Sequence, residues 1–546
     1  MSRFGLASLL FIFAFLPARG QAPPKDAAAA LTETIDRHLR QRLLQAKVAP
    51  APLADDTEYL RRVYLDLAGR IPSVAETRSF LADKRPDRRR LTVERLLSSP
   101  RYASHFASVY RDLLIPEAAT NFFVRFQQGG FETWLKLQLA DNVGYDRLTR
   151  ELLTESIGSR NGLEFFTSKE PSARTFYAAK EYRPESLAAG AARVFLGVRV
   201  ECAQCHNHPF AKWKREQFWS LAAFFSGIKS QPLGDVIGPG DYDATKKDIM
   251  IPGTDKVVQA RFLDGSQPDW QKSTSTRATL ADWITAPKNP YFARATVNRV
   301  WAYFFGTGLV EPIDEMIGTE SASSHPELLN LLAGEFIEQK FDLKFLIRAI
   351  TATAAYQRTS AGPRGEKGVP ESQADPALFA RMSVRGLTPE QLFDSLTMAT
   401  GFRDSGDTNP FGEFLGKESA RSKFLTKFAN QTERPIMAQT SILQALSLMN
   451  GKITSDATSL EHSETLAALL DAPFLSTADR IETLYLAALS RKPNVKELDR
   501  TMRFIDDAVQ SAKAGDDAKS RRVAYNGAVA DVFWAILNSS EFVLNK

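Results

Sequence analysis

Asn289-Pro290-Tyr291-Phe292-Ala293-Arg294-Ala295-Thr296-Val297-Asn298-Arg299-Val300-Trp301-Ala302-Tyr303-Phe304-Phe305-Gly306 reads as an amphipathic helix, with Arg294, Asn298 and Arg299 set among large apolar residues. Those three polar groups either line a cleft or pair with carboxylates to fix helix packing, and the second is the plainer reading. How far this texture extends decides the fold class.

Upstream it is general. Asp55-x-x-Glu58 opens a segment with Leu60, Val63, Tyr64 and Leu67 on one face, closed by Gly69 and Pro72. Ser73-x-x-Glu76 opens the next, and Arg88 to Leu97 forms a third that stops before Pro100. Trp134, Leu135 and Leu139 are spaced as a buried stripe within 122–153, and Tyr145-Asp146 starts another helix. Pro184 suits a first helical turn, and Leu187, Ala191, Val194 and Phe195 face inward on a helix expected to run into Cys202. Phe218, Trp219, Leu221, Ala222, Phe224 and Phe225 predict a buried helix under that cysteine.

Downstream, Ser324-His325-Pro326-Glu327 predicts a capped helix start in which His325 is a turn residue. Asp342 begins a helix through Phe345 to Tyr356, and Thr388-Pro389-Glu390-Gln391 begins another. Residues 401–434 read as a long surface loop suited to binding. Ile481, Leu484, Tyr485, Ala488 and Leu489 fit the helical template, as nearly do Val529, Phe533, Ile536 and Leu537. Only 227–265 changes character, with frequent Gly, Pro and Asp and short β-type runs at 249–251 and 257–262. The expected fold is mainly α, in two helical parts at 31–230 and 275–546, with a strand-bearing insertion at 231–274.

The first part ends on Glu201-Cys202-Ala203-Gln204-Cys205-His206-Asn207-His208-Pro209-Phe210, which holds both cysteines and two of the six histidines of the chain. Two thiols three positions apart, followed at once by an imidazole, form the attachment pattern of c-type haem: both sulfurs bond vinyl groups and the histidine binds iron. The same residues admit a tetrahedral zinc held with His206 and His208, a redox dithiol, or a structural disulfide. Four zinc ligands within seven residues would strain the backbone, which makes zinc from this segment alone the least favoured metal reading. A distal iron ligand is open, with His105, Met250 and a vacant position as candidates, although a lone Met in a short apolar run is more often core.

Met1 to Gly20 has the layout of a secretory signal, with Arg3, the apolar run Leu6 to Leu16 and small residues near Gly20. A Pro- and Ala-rich lead-in at 21–30 is expected to be disordered. No later run is apolar and long enough to cross a bilayer, so the expectation is an exported chain, periplasmic or extracellular, with no membrane span. Outside the cytoplasm a vicinal thiol pair tends to oxidise unless it is occupied. At 44% apolar and 24% charged the composition is globular, and +5 on 546 residues points to no polyanionic partner. The basic run Lys84 to Arg90 reads as a solvated helix start, not as a nucleic-acid site. Nucleophile elbow, phosphate loop, dinucleotide fingerprint and His-Glu-x-x-His are all absent, which lowers hydrolase and nucleotide chemistry.

The chain resembles the planctomycete-type secreted cytochrome-like family, which joins two domains of unknown function. The first is typified by Arg62-Val63-Tyr64-Leu65-Asp66-Leu67, by Leu96-Leu97-Ser98-Ser99-Pro100-Arg101-Tyr102 and by the cysteine segment through Phe225. The second is typified by the Asn289 stretch, by Phe305-Gly306-Thr307-Gly308-Leu309-Val310, by Ser324 to Leu329 and by Phe533 to Phe542. The resemblance implies thioether links at Cys202 and Cys205 and an axial ligand at His206. Two departures stand out: the family's His-Asp-His is His206-Asn207-His208 here, and the separate N-terminal cytochrome domain of many relatives has no counterpart motif.

The leading expectation is a mono-haem redox or electron-transfer protein serving a redox partner protein. The rival is an exported binding or scaffold protein with a Cys202–Cys205 disulfide or a divalent metal at His206 and His208. A third reading, a metal-dependent enzyme acting on extracellular polymers, needs carboxylates brought to His206 and His208 from distant segments.

Overall fold

Asp55 accepts hydrogen bonds from the backbone N–H groups of Thr57 and Glu58 and so starts the helix Asp56–Ala68, as seen in a computed structural model of the chain. The structure describes residues 25–157, 170–208, 213–233, 236–272, 275–316, 323–362, 375–403, 419–428, 451–512 and 518–546. The signal segment Met1 to Gly20 lies outside the described residues.

Helix Asp56–Ala68 carries the apolar face its spacing predicts, yet every residue from Tyr59 to Ala68 is buried. The reason is its position between two hydrophobic cores. Leu60, Val63, Tyr64 and Leu67 belong to a core that draws on residues from Leu31 to Met382. Leu65, with Ile71, belongs to a second core built from residues between Leu387 and Phe542. The helices Thr477–Leu489 and Ala518–Leu537 supply much of that second core, through the stripes read from their sequences.

The helix starts at Ser73 and Thr388 are capping boxes, and Asp342 caps Leu343–Ala352. The chain is mainly α. Among the described residues each sheet is a two-stranded antiparallel pair: Ile228–Leu233 with Val236–Tyr242, Asp248–Met250 with Val257–Gln259, and Arg385–Gly386 with Leu544–Asn545. No described helix is long and apolar enough to cross a membrane.

Four expectations change. Helix Lys25–Ala46 takes in the end of the lead-in expected to be disordered, because an alanine run of high helical propensity continues into Leu31, Ile35 and Leu39 of the first core. Within 401–434, Ala420–Phe428 is a helix with Phe424 and Phe428 buried against the second core; 404–418 and 429–434 lie outside the described residues. At Pro326 the proline occupies the first helical position and keeps the preceding residue out of the helix, so His325 stands at the cap while Ser324 Oγ donates to Leu309 O (3.2 Å). Finally, Arg88 and Arg89 of the basic run both pair with Asp56, and Arg89 lies 4.4 Å from the centre of the Tyr59 ring, whereas Arg85 and Arg90 remain outside with Asp83 and Asp87.

Candidate functional site

The helix Pro184–Ala191 continues into a wider π turn, Ala192–Leu196, and ends on Gly197 in the left-handed region at φ 64°. It therefore does not run into the cysteines. A side chain at Gly197 would also place its Cβ 2.7 Å from Met316 Cγ and 2.9 Å from Ala295 Cβ, so glycine is required twice over. Carbonyls at the widened turn are taken by Arg299, which donates to Val194 O (2.8 Å) and Arg193 O (3.2 Å) and pairs with Asp314 (2.6 Å). Asn298 exchanges two hydrogen bonds with the Val310 backbone (2.9 and 3.0 Å). Arg299 and Asn298 thus fix packing, as the plainer reading of the Asn289 stretch had it.

Beyond Gly197 the chain forms a 3₁₀ turn, Glu201–Gln204. Ala203 anchors it, fully buried, with its N–H on Val200 O at 2.9 Å. Residues three apart eclipse one another in a 3₁₀ turn, and Cys205, just past its end, keeps right-handed helical angles; the two cysteines therefore share one side. Both are exposed and both thiols are free.

His206 is exposed, with Nδ1 2.7 Å from its neighbour's carbonyl, Asn207 O. A carbonyl only accepts, so Nδ1 carries the proton and Nε2 keeps its lone pair for a ligand. A metal-binding histidine is commonly oriented in this way. The imidazole is thus oriented by a backbone carbonyl, while the Asn207 side chain is turned elsewhere, its Oδ1 accepting the N–H of Arg215 (3.0 Å).

The floor is the helix Arg215–Ala222, followed by a 3₁₀ turn through Phe225, with the expected apolar residues all buried. Trp219 Nε1 (3.0 Å) and Arg215 Nε (3.2 Å) both donate to Gln204 O, the carbonyl between the two cysteines. Arg215 Nη2 reaches on to Pro252 O (2.6 Å) in the strand hairpin. Half-buried His208 donates its backbone N–H to Trp213 O at 2.8 Å.

Among the described residues no three His, Cys, Asp or Glu side chains gather closely enough to share a metal ion. Cys202, Cys205, His206 and His208 thus form no preassembled tetrahedral set. Haem attachment asks something different: two sulfurs spread along a macrocycle edge and one imidazole nitrogen, which need not converge on a point. The donors present for it are two free, exposed thiols on one side of the turn and the adjacent His206 imidazole.

Other candidates fall elsewhere. His105 is buried, its Nε2 2.6 Å from Tyr303 OH, and burial pushes its pKa down to about 4. Tyr303 OH donates in turn to Asp66 O at 2.8 Å, so His105 Nε2 is committed to the core and withdrawn as an iron ligand. His325 is buried too, with Nδ1 3.0 Å from Ser324 Oγ. Met250 is no core residue: it is 59% exposed, since its strand turns Ile249 and not Met250 toward the core.

The residues that carry the first domain's resemblance prove to be a hub. Buried Arg62 donates to Lys546 O (2.7 Å), Tyr356 O (2.7 Å), Arg358 O (2.9 Å) and Glu58 (2.7 Å). Asp66 accepts from Arg385 (2.8 and 3.0 Å), Tyr356 OH (2.8 Å) and Asn545 (2.7 Å). A charged pair four apart on an apolar helix was the available signal for this hub.

Residues 34–230 match the model of the PSCyt2 family, described as a protein of unknown function (DUF1549), and residues 276–424 that of the PSD1 family, described as a protein of unknown function (DUF1553). The chain carries these two domains in tandem. No curated protein and no solved structure matches it. The PSCyt2 segment contains both the Arg62–Asp66 hub and the cysteine turn, and the PSD1 segment contains Arg299, which binds the widened turn ahead of the cysteines, and Arg385, which binds Asp66.

Proposed function

We propose that the chain is an exported, mono-haem c-type cytochrome-like redox or electron-transfer protein, with thioether links at Cys202 and Cys205 and His206 Nε2 as the axial ligand. One observation carries the reading: two free, exposed thiols on the same side of a turn, followed by an imidazole whose Nδ1 proton is held by Asn207 O. The PSCyt2 label, with its reference to a cytochrome, agrees with it. Export rests on the Met1 to Gly20 pattern alone.

A haem held this way supplies a one-electron Fe(III)/Fe(II) couple. Cys202 and Cys205 would hold it from a turn fastened by the Trp219 and Arg215 hydrogen bonds to Gln204 O, and Asn207 O orients the His206 imidazole that would bind its iron.

The test is the intact mass and pyridine haemochrome spectrum of the mature protein made in a host with haem-attachment machinery. A gain of one haem, lost in Cys202→Ala/Cys205→Ala, is expected. A mass two hydrogens below the reduced chain, with no visible absorption, would overturn the reading in favour of a Cys202–Cys205 disulfide in a binding or scaffold protein.

A further inference from the structure

The helix Pro100–Leu114 of the PSCyt2 segment and the helix Phe292–Phe305 of the PSD1 segment face one another across a cavity of about 30 Å³. Phe106, Val109 and Leu113 wall it on one side and Val300 on the other. A space of this size takes about two water molecules or one small ion.

Three polar side chains also line it: Tyr110, Tyr145 and Arg299. Tyr110 is 6% and Tyr145 1% exposed, their ring centres lie 5.6 Å apart, and neither hydroxyl is hydrogen-bonded among the described residues. Burial pushes the Tyr145 phenol up to about 12 and the Tyr110 phenol well above its usual value, and Arg299 is the positive charge that works against this in both. Both groups therefore keep their protons and stand as idle donors near one guanidinium. A buried hydroxyl without a partner is costly, so two at one cavity call for an acceptor.

The guanidinium has donors to spare. Arg299 commits Nη1 to Val194 O, and Nη2 to Arg193 O and Asp314, which leaves Nε–H and the second Nη1–H uncommitted among the described residues. Nor is its charge fully met. Arg193, 3.8 Å from Asp314, shares that carboxylate with Arg299, and the side chains of Arg193, Arg299 and Asp314 are only 17%, 7% and 14% exposed. Glu117, also near Arg193, is taken by Lys180, and Glu201 stands in solvent. A buried positive charge in excess favours a counter-ion.

We infer that this cavity binds one small monovalent anion of halide size, held by the Tyr110 and Tyr145 hydroxyls and the Arg299 guanidinium. The space excludes larger anions, and the carbon walls strip water from whatever enters, which favours a weakly hydrated halide. The ion offsets the charge that Arg193 and Arg299 leave over, and it ties the two segments together where Arg299 also binds the turn ahead of the cysteines. Nothing in the site depends on haem.

The experiment uses the full chain in sodium gluconate at fixed ionic strength, with bromide replacing gluconate stepwise. The urea midpoint of the wild type is expected to rise and then to climb by a constant step per decade of bromide, as for a ligand that binds only the native state. Tyr110→Phe/Tyr145→Phe keeps both rings and removes both donors, so its midpoint should match or exceed that of the wild type in gluconate and stay flat with bromide. Bromide-soaked crystals of the wild type should show an anomalous peak between Tyr110, Tyr145 and Arg299. A wild-type midpoint indifferent to bromide, a rise that survives in the double variant, or two waters in place of the anomalous peak would each overturn the inference. Should the double variant fail to fold, the anomalous map decides alone.

Discussion

Replacing Asp66 with asparagine keeps its shape and removes its charge, which makes it the sharpest probe of the junction between the two cores. The side chain of Asp66 is 1% exposed and that of Arg385 11%, so the pair lies out of water. Asp66→Asn leaves the Arg385 guanidinium without a counter-charge, and the new amide must aim its N–H at one of the donors now served, Tyr356 OH, Asn545 Nδ2 or Arg385 itself. Breaking a buried pair from one side costs about 3–5 kcal/mol. Urea unfolding followed by tryptophan fluorescence and circular dichroism reads this as a lower midpoint at similar slope. The partner variant Arg385→Met and the double variant complete a cycle. With both charges gone the double variant should be less damaged than the sum of the singles, by at least about 1.5 kcal/mol. An Asp66→Asn protein within about 0.5 kcal/mol of wild type, or an additive double variant, would refute the reasoning.

Acid should weaken the fold through its buried histidines. Burial holds His105 and His325 at about 4 in the native state, below the ordinary histidine value, so the unfolded chain takes up protons first as pH falls. Their contribution is whole above about pH 6.5 and declines toward pH 4, by at most about 1.4 kcal/mol per pH unit for each. His105→Gln should flatten the urea-midpoint profile in that window by close to one proton, and an unchanged profile would contradict the assignment. Gly69→Ala meets two penalties at once: φ is +67°, and the new Cβ would lie 2.5 Å from His105 Nδ1. A loss of more than about 2 kcal/mol is expected in the same assay, since strain in the left-handed region adds to the displacement of a packed ring.

The elements were legible where local chemistry decides them. Asp55, Ser73 and Thr388 cap helices because their side chains satisfy N–H groups two or three residues on, and nothing distant is needed. The cysteine turn was legible in its residues but not in its mounting. That the preceding helix widens and stops at Gly197 depends on Met316, Ala295 and Arg299, about a hundred residues later. Likewise, apart from Glu58 one turn before Arg62, the partners of Arg62 and Asp66 were not legible, because they lie some three to five hundred positions away. Met250 was misjudged for a period-two reason: with Ile249 and Ile251 around it, only the register against Val257 and Val258 shows which residue faces out.

The strand Leu544–Asn545 closes on Arg385–Gly386, and Asn545 and the Lys546 carbonyl complete the partners of Asp66 and Arg62. The helix Asp56–Ala68 thus meets the partners of its two buried charges only when segments some three hundred and nearly five hundred positions downstream have come back to it, contacts of long sequence separation that are slow to form.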